Sequence, residues 1–251
     1  MRYDDISIII GIILLIPLLF LILKKLQFKV FARYQSTVSN EIIVRENIFN
    51  EKSLDFGAYP QGIDYTAPKI AQTYWYYMAE MALQKITNCP DAEILHIGLG
   101  ASTTPHLIAQ KNSLAKQTII EIDPQVIEAN KHFFQFDSLP NTTLIQEDFF
   151  KLLNTEKNFN NRFDVLIVDI CTGQPPFISY EASSEENIKK TLLWGKPNAL
   201  VIYNRWIDNE ENKKDTNQLI ELLKQHCNNV ISKDIIDYHE FKNSIISGEI
   251  K

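Results

Sequence analysis

The stretch "ILHIGLGASTTPHLIAQ", residues 94–110, joins a short apolar run to a Gly-x-Gly turn at Gly98 and Gly100 and then to a helical pattern. Such an order is typical of the first strand, turn and helix of a parallel sheet. Glycine lets the backbone approach a nucleoside closely, and the N-terminus of a helix offers unpaired N–H groups. The stretch therefore predicts a nucleoside-binding turn, although a tight structural turn would look similar.

Further apolar runs follow this stretch along the chain, separated by segments long enough to be helices. Each run is continuously apolar, which is typical of a strand covered on both faces. The predicted strands are 93–97, 117–122, 142–146, 164–169 and 199–204, and the predicted helices include 124–136 and 183–195. This alternation predicts an α/β fold with a parallel, doubly wound sheet.

The segments around this core have weaker patterns. Residues 41–46 and 52–59 predict a small β-hairpin module, and residues 66–86 predict a helix that carries an aromatic cluster. That cluster is Tyr74, Trp75, Tyr76 and Tyr77. Near the C-terminus we expect a helix over 217–227 and a final hairpin, with the acidic run 208–212 as a solvated loop.

Composition limits the function. The net charge of -6 and the pI of about 5.4 argue against a protein that binds nucleic acid through phosphate contacts. The three cysteines, Cys89, Cys171 and Cys227, are widely spaced and have no His at zinc-ligand intervals. We therefore expect no disulfide framework and no metal site.

Residues 6–23 form an uncharged apolar segment, and at 1.5 Å per residue a helix of this length would reach about 27 Å. A core helix or a cleaved signal peptide are the alternatives, but the segment has no polar face and no small-x-small cleavage site follows. Lys24, Lys25, Lys29 and Arg33 come directly after it. By the positive-inside rule we expect a single-pass membrane protein with a cytoplasmic C-terminal domain.

The sequence thus predicts three parts: a transmembrane anchor over 1–26, a β module over 27–66, and an α/β domain over 67–251.

Carboxylates follow two successive strands of the α/β domain. Glu121 and Asp123 come about twenty residues after the glycines, where an acid meets ribose hydroxyls in such folds. Asp148 follows the next strand and could accept a hydrogen bond from an adenine amine. Because the third glycine of the dinucleotide fingerprint is missing, we expect a pocket of the S-adenosylmethionine type rather than an NAD site.

From about Gln35 to Asn204, the order of "HIGLG", "EID", "QED" and "FDVLIVD" resembles the polyamine aminopropyltransferases, the spermidine synthase family. This resemblance implies a Rossmann-like, S-adenosylmethionine-dependent methyltransferase fold that binds decarboxylated S-adenosylmethionine. It places the ribose on Glu121, with Asp123 beside it, and the adenine on Asp148 and Phe149. Family members are often dimers, so a homodimer is possible.

The resemblance also assigns the amine side of the site. It makes Asp169 the proton acceptor and places Gln61, an aromatic residue of the 74–77 cluster such as Tyr76, and Thr172 near the amine. An amine is protonated at neutral pH, so a carboxylate must take its proton before the nitrogen can attack the sulfonium. The alternative for Asp169 is a structural cap of the turn that follows a strand.

The sequence departs from the family at two positions: Ala101 and Thr172 stand where family members usually have aspartates that contact ammonium groups. Ala101 removes a repulsion toward the carboxylate of ordinary S-adenosylmethionine, and this suggests the hypothesis that donor preference has shifted to that compound.

The segment "QPPF", 174–177, resembles the Pro-Pro-aromatic loop of amino-methyltransferases, but it lies too far along the chain from Asp169 to match that family. Cys171 has no base beside it in sequence, and His96 is expected to be a core residue.

Three functions follow from these patterns. The first is a spermidine synthase-like transferase that moves an aminopropyl group to an amine acceptor. The alternatives are a small-molecule methyltransferase that uses S-adenosylmethionine, and an inactive nucleoside-binding scaffold at the membrane.

Overall fold

The structure, a computed structural model, describes residues 28–171, 179–237 and 241–251. An antiparallel four-stranded sheet comes first, and a seven-stranded sheet flanked by helices follows. The predicted membrane segment, residues 6–23, and the predicted substrate residue Thr172 lie outside the described residues. Within the described residues, no helix combines the length and the apolar character needed to span a bilayer.

The first sheet is larger than the predicted hairpin. Its strands are β1 (Phe28–Ser36), β2 (Asn40–Asn47), β3 (Lys52–Phe56) and β4 (Tyr59–Ile63), and each pairs with the next. The predicted strand over 52–59 is in fact split, because Gly57 adopts a φ of 61° and turns the chain between β3 and β4. One face of this sheet buries Ile42, Val44 and Leu54 against the main domain.

The second sheet contains all five predicted strands, and these run parallel. In spatial order the sheet is β10-β11-β9-β8-β5-β6-β7. The strands are β5 (Glu93–Ile97), β6 (Lys116–Glu121), β7 (Thr142–Gln146), β8 (Phe163–Val168), β9 (Gly195–Trp206), β10 (Cys227–Ile236) and β11 (Lys242–Ile250). The sheet is only mostly parallel, because β10 and β11 form a hairpin whose second strand pairs antiparallel with β9.

Of the six α-helices that the structure describes, five begin at a side-chain cap, and the sixth follows Ser102, whose side chain makes no capping hydrogen bond. The helices are α1 (Tyr74–Lys85), α2 (Thr103–Lys111), α3 (Pro124–Phe133), α4 (Phe149–Thr155), α5 (Glu185–Leu192) and α6 (Glu210–His226). The helix predicted from residue 66 begins only at Tyr74, because Thr73 is its N-cap. The acidic run predicted as a loop instead starts α6: Asn209 caps it, and Glu210 and Glu211 occupy its first turn, where the helix dipole favours acids.

The order of the parallel strands determines where a ligand can bind. β5 lies in the middle of the sheet. The chain adds β6 and β7 on one side of β5 and then returns to add β8 and β9 on the other, so the strand order reverses at β5. In open α/β sheets, ligands bind at such a point, outside the carboxyl ends of the strands. The ends of β5 and β6 carry Gly98 and Glu121, and β8 is followed by Asp169.

The first sheet is fixed to the main domain at the start of α2. The Thr103 hydroxyl donates to the Ile63 carbonyl at 2.6 Å and accepts from the Ile63 N–H at 3.1 Å. The backbone of the neighbouring Gly62 packs directly against Ala101. A Cβ at residue 62 would lie 2.5 Å from the Cβ of Ala101. Ser36 adds a third link, since its hydroxyl donates to Asp123 at 2.6 Å.

We expect Thr103→Val to lower the free energy of unfolding by about 1–3 kcal/mol, because the buried Ile63 N–H and C=O both lose a partner. Thr155→Val is the matched control. Its hydroxyl bonds to the Lys151 carbonyl on an exposed helix surface, so its change should stay within about 0.5 kcal/mol. Urea unfolding of both variants measures the difference, and equal stabilities would contradict this account of how the sheet is attached.

Candidate active site

One cavity of about 370 Å³ opens at the carboxyl ends of the parallel strands. This volume is within the range of small-molecule sites. Seven of the predicted site residues line it: Gln61, Gly98, Gly100, Glu121, Asp148, Phe149 and Asp169. Strand β4 and the hairpin of β10 and β11 supply further walls, so the cavity lies between the first sheet and the second.

The glycine turn is held between two other segments of backbone. Gly98 has a φ of 95° and Gly100 a φ of 53°, a region that side chains rarely adopt. A Cβ at residue 98 would lie 2.2 Å from the Asp169 carbonyl oxygen, and one at residue 100 would lie 2.3 Å from the Gln61 carbonyl oxygen. Glycine is therefore required here for packing as well as for ligand approach.

Glu121, the last residue of β6, is oriented by backbone donors. Its Oε2 accepts from the Leu99 N–H at 3.0 Å, and its Oε1 accepts from the Asp123 N–H at 2.8 Å. Burial raises the pKa of Glu121 to about 7, although these bonds oppose the shift. A carboxylate oxygen can accept more than one bond, so the same group can still receive two ribose hydroxyls.

Asp148 and Phe149 line the cavity beyond the end of β7. The Asp148 carboxylate caps α4 by accepting from the Phe150 N–H at 2.8 Å. Phe149 is held edge to face against Trp194, with ring centroids 5.7 Å apart. Both residues therefore have structural partners and still present surface to a ligand.

Asp169 follows β8, and its backbone N–H donates to the Ile97 carbonyl at 2.9 Å. Its carboxylate accepts from the Asn204 amide nitrogen at 2.7 Å, while the Asn204 amide oxygen accepts from Asn243 at 2.9 Å. Asn243 thereby orients the Asn204 side chain so that its N–H₂ faces the carboxylate. Desolvation raises the pKa of Asp169 to about 6, and the Asn204 bond opposes that shift. This pKa suits a group that accepts protons near neutral pH.

Tyr74, the first residue of α1, is buried beside this carboxylate. Burial raises the pKa of its phenol well above the usual range, and the negative charges of Asp169 and Asp237 add to the effect. Burial and Asp169 likewise raise the pKa of the Cys171 thiol. Cys171 is therefore held as a neutral thiol, which argues against a role as nucleophile.

The lining of the cavity is acidic. Its carboxylates come from Glu121, Glu147, Asp148, Asp169, Glu181 and Asp237. Among the lining residues that the structure describes, Arg205 is the one cation, and it is ion-paired with the buried Asp215. Such a cavity favours a cationic ligand, because charges of one sign in a low-dielectric cleft focus the field.

Two of the predicted site residues lie away from the cavity lining. Asp123 accepts from Ser36 and from the Gln125 N–H, so it caps α3 and ties down β1. Tyr76 packs near Lys111, while its neighbours Tyr74 and Trp75 line the cavity. Ala101, at which the sequence suggests a change in donor preference, is buried in the apolar cluster beneath the first sheet.

The hairpin residues of the site were not predicted from sequence. Asp237, Phe241 and Asn243 line the cavity, although the sequence indicated only a final hairpin there. The available signal is Asn243, a polar residue shortly before the apolar pair Ile245 and Ile246. His96, by contrast, is the core residue that the sequence predicts: it is buried, it pairs with Gln117 at 2.8 Å, and burial lowers its pKa to about 4.

Solved structures share this fold. A probable spermidine synthase from Corynebacterium glutamicum superposes with a TM-score of 0.68 at 15% identity, over 88% of this chain and 79% of that chain. A spermidine synthase in complex with the transition state analogue AdoDATO superposes with a TM-score of 0.66 at 18% identity, over 88% and 73% of the two chains. At these identities the similarity establishes the Rossmann-like fold alone.

Sequence comparison gives a more specific relationship. The polyamine aminopropyltransferase of Sulfurisphaera tokodaii is 27% identical over an alignment of 112 positions, which covers 41% of this chain and only 36% of that relative. Residues 72–239 match the spermine/spermidine synthase domain. This match extends over more than half of the chain and includes Glu121, Asp148 and Asp169. The chain therefore belongs to the spermine/spermidine synthase family.

Proposed function

We propose that this protein transfers an aminopropyl group from decarboxylated S-adenosylmethionine to an amine acceptor. The observation that carries the proposal is the position of Asp169. Its backbone packs against the glycine turn, and its carboxylate belongs to an acidic cavity, with its pKa raised to about 6 and its orientation fixed by Asn204. A proton acceptor and a nucleoside-binding turn thus share one cavity.

The reaction needs no group beyond the two substrates and this carboxylate. The ammonium of the acceptor gives its proton to Asp169, and the freed lone pair forms a bond to the aminopropyl carbon of the donor. The bond from that carbon to sulfur breaks, and its electrons neutralise the sulfonium to give a thioether nucleoside. Asp169 then releases the proton to solvent, so the enzyme returns to its starting state.

The other lining residues have complementary roles in this proposal. Glu121 receives the ribose hydroxyls, because its oxygens are already oriented by the Leu99 and Asp123 N–H groups. Asp148 and Phe149 receive the adenine at the end of β7. Gln61 and Tyr74 form the wall on the acceptor side of Asp169.

The acidic lining favours the decarboxylated donor. Ordinary S-adenosylmethionine carries one more carboxylate, which would enter a cavity lined by six others. At 4 Å, two like charges repel by about 4 kcal/mol at an effective dielectric constant of 20. Ala101 packs in the apolar cluster and is not among the residues that line the cavity, so the proposal does not depend on it.

We expect calorimetric titration of the full chain, in detergent, to show at least about tenfold tighter binding of decarboxylated S-adenosylmethionine than of the parent compound. Product analysis with amine acceptors should then detect the thioether nucleoside. Tighter binding of the parent compound would support a methyltransferase instead. If neither compound binds, the chain is a scaffold without this chemistry.

We expect Asp169→Asn to reduce turnover by about 10²–10⁴-fold, because the proton acceptor is lost. The same change should stabilise the fold. Raising the pKa of Asp169 from 3.8 to about 6 means that ionisation costs the folded state about 3 kcal/mol. That cost is fully present above pH 6 and disappears below pH 3.8, so Asn should raise the free energy of unfolding at pH 7.5 by about 1–3 kcal/mol.

Asp164→Asn is the control on the same strand. Asp164 pairs with Lys196 at 2.8 Å and accepts from the Glu93 N–H, so its loss should lower stability and leave turnover within about twofold. In the wild type, turnover should fall as the pH drops through about 6, where Asp169 becomes protonated. A loss of stability in Asp169→Asn with unchanged turnover would show that Asp169 is only a structural cap.

We also propose that residues 6–23 anchor the protein in a membrane, with the enzyme domain on the cytoplasmic side. This proposal is supported by the uncharged sequence and by the start of β1 at Phe28, a few residues after the segment ends. Phe28 and Phe31 are exposed there beside Lys29 and Arg33. Aromatic and cationic side chains are suited to the headgroup region of an anionic bilayer.

The full chain should remain in the membrane pellet after carbonate extraction. The double variant Leu14→Arg, Leu18→Arg should move to the supernatant, because two charges at the centre of a span oppose insertion by about 2.5–3.5 kcal/mol each. Replacement of the exposed Leu114 by Arg is the control and should not change the fractionation. Recovery of the wild type in the supernatant would contradict the anchor.

A further inference from the structure

A turn with an uncharged, apolar tip joins β2 to β3. Ile48 and Phe49 form this tip, and they are 65% and 66% exposed. Single apolar residues are common on protein surfaces, but here two large apolar side chains are adjacent and stand out at the end of a sheet. Asn50 follows them with a φ of 59° and turns the chain back toward β3.

Asn47 holds this turn in shape. Its side-chain oxygen accepts from the Phe49 N–H at 2.9 Å and from the Glu51 N–H at 3.0 Å, and its side-chain nitrogen donates to the Glu51 carboxylate at 2.7 Å. Two backbone bonds close the turn further: the Asn47 N–H donates to the Glu51 carbonyl, and the Asn50 N–H donates to the Asn47 carbonyl, each at 3.0 Å. The one charged residue of the turn, Glu51, is therefore buried at its base, while the apolar tip is exposed.

This turn lies where the chain enters the described part of the structure. Phe28, the first residue of β1, pairs with Asn47, the last residue of β2, so the turn begins directly beside it. Phe28 is itself exposed. Residues 24–27 separate it from the apolar segment 6–23, and even a fully extended chain of this length reaches only about 17 Å. A bilayer that holds residues 6–23 would therefore lie close to the turn.

The cavity opens at the other end of the first sheet. Near the start of β1, Phe31 packs close to Phe133 at the end of α3, with ring centroids 6.0 Å apart. At the end of β1, Ser36 bonds to Asp123, which caps the start of α3 beside the carboxyl end of β6. From Phe28 to Ser36 the strand extends about 26 Å, at about 3.3 Å per residue. A bilayer at the turn would thus leave the cavity open to the aqueous phase.

We propose that Ile48 and Phe49 insert into the interfacial region of a lipid bilayer and form a second membrane contact beside the anchor. This inference rests on the proposed anchoring by residues 6–23. One point of attachment allows a domain to rotate about it, whereas two points fix its orientation. The second contact therefore directs the cavity away from the membrane, so that its amine acceptor arrives from the aqueous phase rather than from a lipid headgroup.

The contact at the turn is apolar rather than electrostatic. Arg45, on the strand that leads into the turn, pairs with the buried Asp55, and Arg33 pairs with Glu41. These cations already have acidic partners, and the tip itself has no charge. Apolar side chains insert at the boundary between headgroups and acyl chains, where salt has little effect on their transfer.

The test replaces one residue of the full chain by a photo-crosslinking amino acid, Phe49→p-benzoylphenylalanine, in vesicles of phosphatidylcholine and phosphatidylglycerol in equal parts. Irradiation should attach phospholipid at residue 49, which mass spectrometry of the peptides detects. In about 1 M salt, where the screening length is about 3 Å, the yield should stay within about twofold. The variant should unfold at the same urea concentration as the wild type, because this side chain is exposed.

Ile236→p-benzoylphenylalanine is the matched control. Ile236 is 64% exposed, but it ends β10, which finishes at the same edge of the sheet as the parallel strands because β11 runs antiparallel to both β10 and β9. It therefore lies at the cavity end of the domain. We expect at least about tenfold less lipid adduct there than at residue 49, since insertion reaches only about 5–10 Å around the membrane boundary.

The outcomes distinguish this inference from the proposed anchor and from the proposed reaction. If the full chain floats with the vesicles and residue 49 captures no lipid, the second contact is overturned while the anchor stands. Equal adducts at 49 and 236, capture of a second copy of the chain, or loss of the adduct in high salt also overturn it. If the full chain does not float with the vesicles, the anchor fails and this inference fails with it, while aminopropyl transfer is unaffected.

Discussion

The site depends on how closely the turn at Gly98 and Gly100 is packed between two other segments. On one side the backbone of residue 98 leaves no room for a Cβ against the Asp169 carbonyl, and on the other side residue 100 meets the Gln61 carbonyl in the same way. One turn therefore sets the distance from the end of β5 to Asp169 and to the first sheet. Movement of any of the three segments would alter the other two, because none of these contacts involves a flexible side chain. The glycine turn, Asp169 and Gln61 are thereby held together through rigid backbone.

The electrostatics of the cavity oppose folding and favour binding. Burial raises the pKa of Glu121 to about 7 and that of Asp169 to about 6, so at neutral pH the fold holds carboxylates that would be more stable in water. Backbone N–H donors to Glu121 and the Asn204 amide offset part of this cost without supplying a positive charge. A bound sulfonium or ammonium supplies that charge. A cation that enters the cavity would therefore offset the free-energy cost of burying these carboxylates in their ionised form. A neutral ligand would not offset it.

The sequence was sufficient to predict the parallel core, since each of its strands contains a short apolar run that is followed by a polar or glycine residue at the same edge of the sheet. It was also sufficient for Glu121 and Asp169, which are linked to those strand ends. It was not sufficient to separate Glu121 from Asp123, because both are acids after one strand. Asp123 is engaged by the Gln125 N–H as a helix cap and by the hydroxyl of Ser36, which is distant in sequence. Asn243 and Asp237 could not be placed for a related reason. Their positions depend on the register of a hairpin with β9, which joins residues far apart in the chain.

The register between β11 and β9 explains why the hairpin contributes to the site. Asn243 pairs with Trp206 across β11 and β9, and Ile245 pairs with Asn204. The Asn243 side chain thus reaches the Asn204 amide, and through it the orientation of Asp169 depends on the last strand of the chain. A register slip of one residue would turn Asn243 to the opposite face and remove this contact. β11 also follows directly on Phe241, which lines the cavity, so a single structural element sets both the orientation of Asp169 and one wall of the cavity.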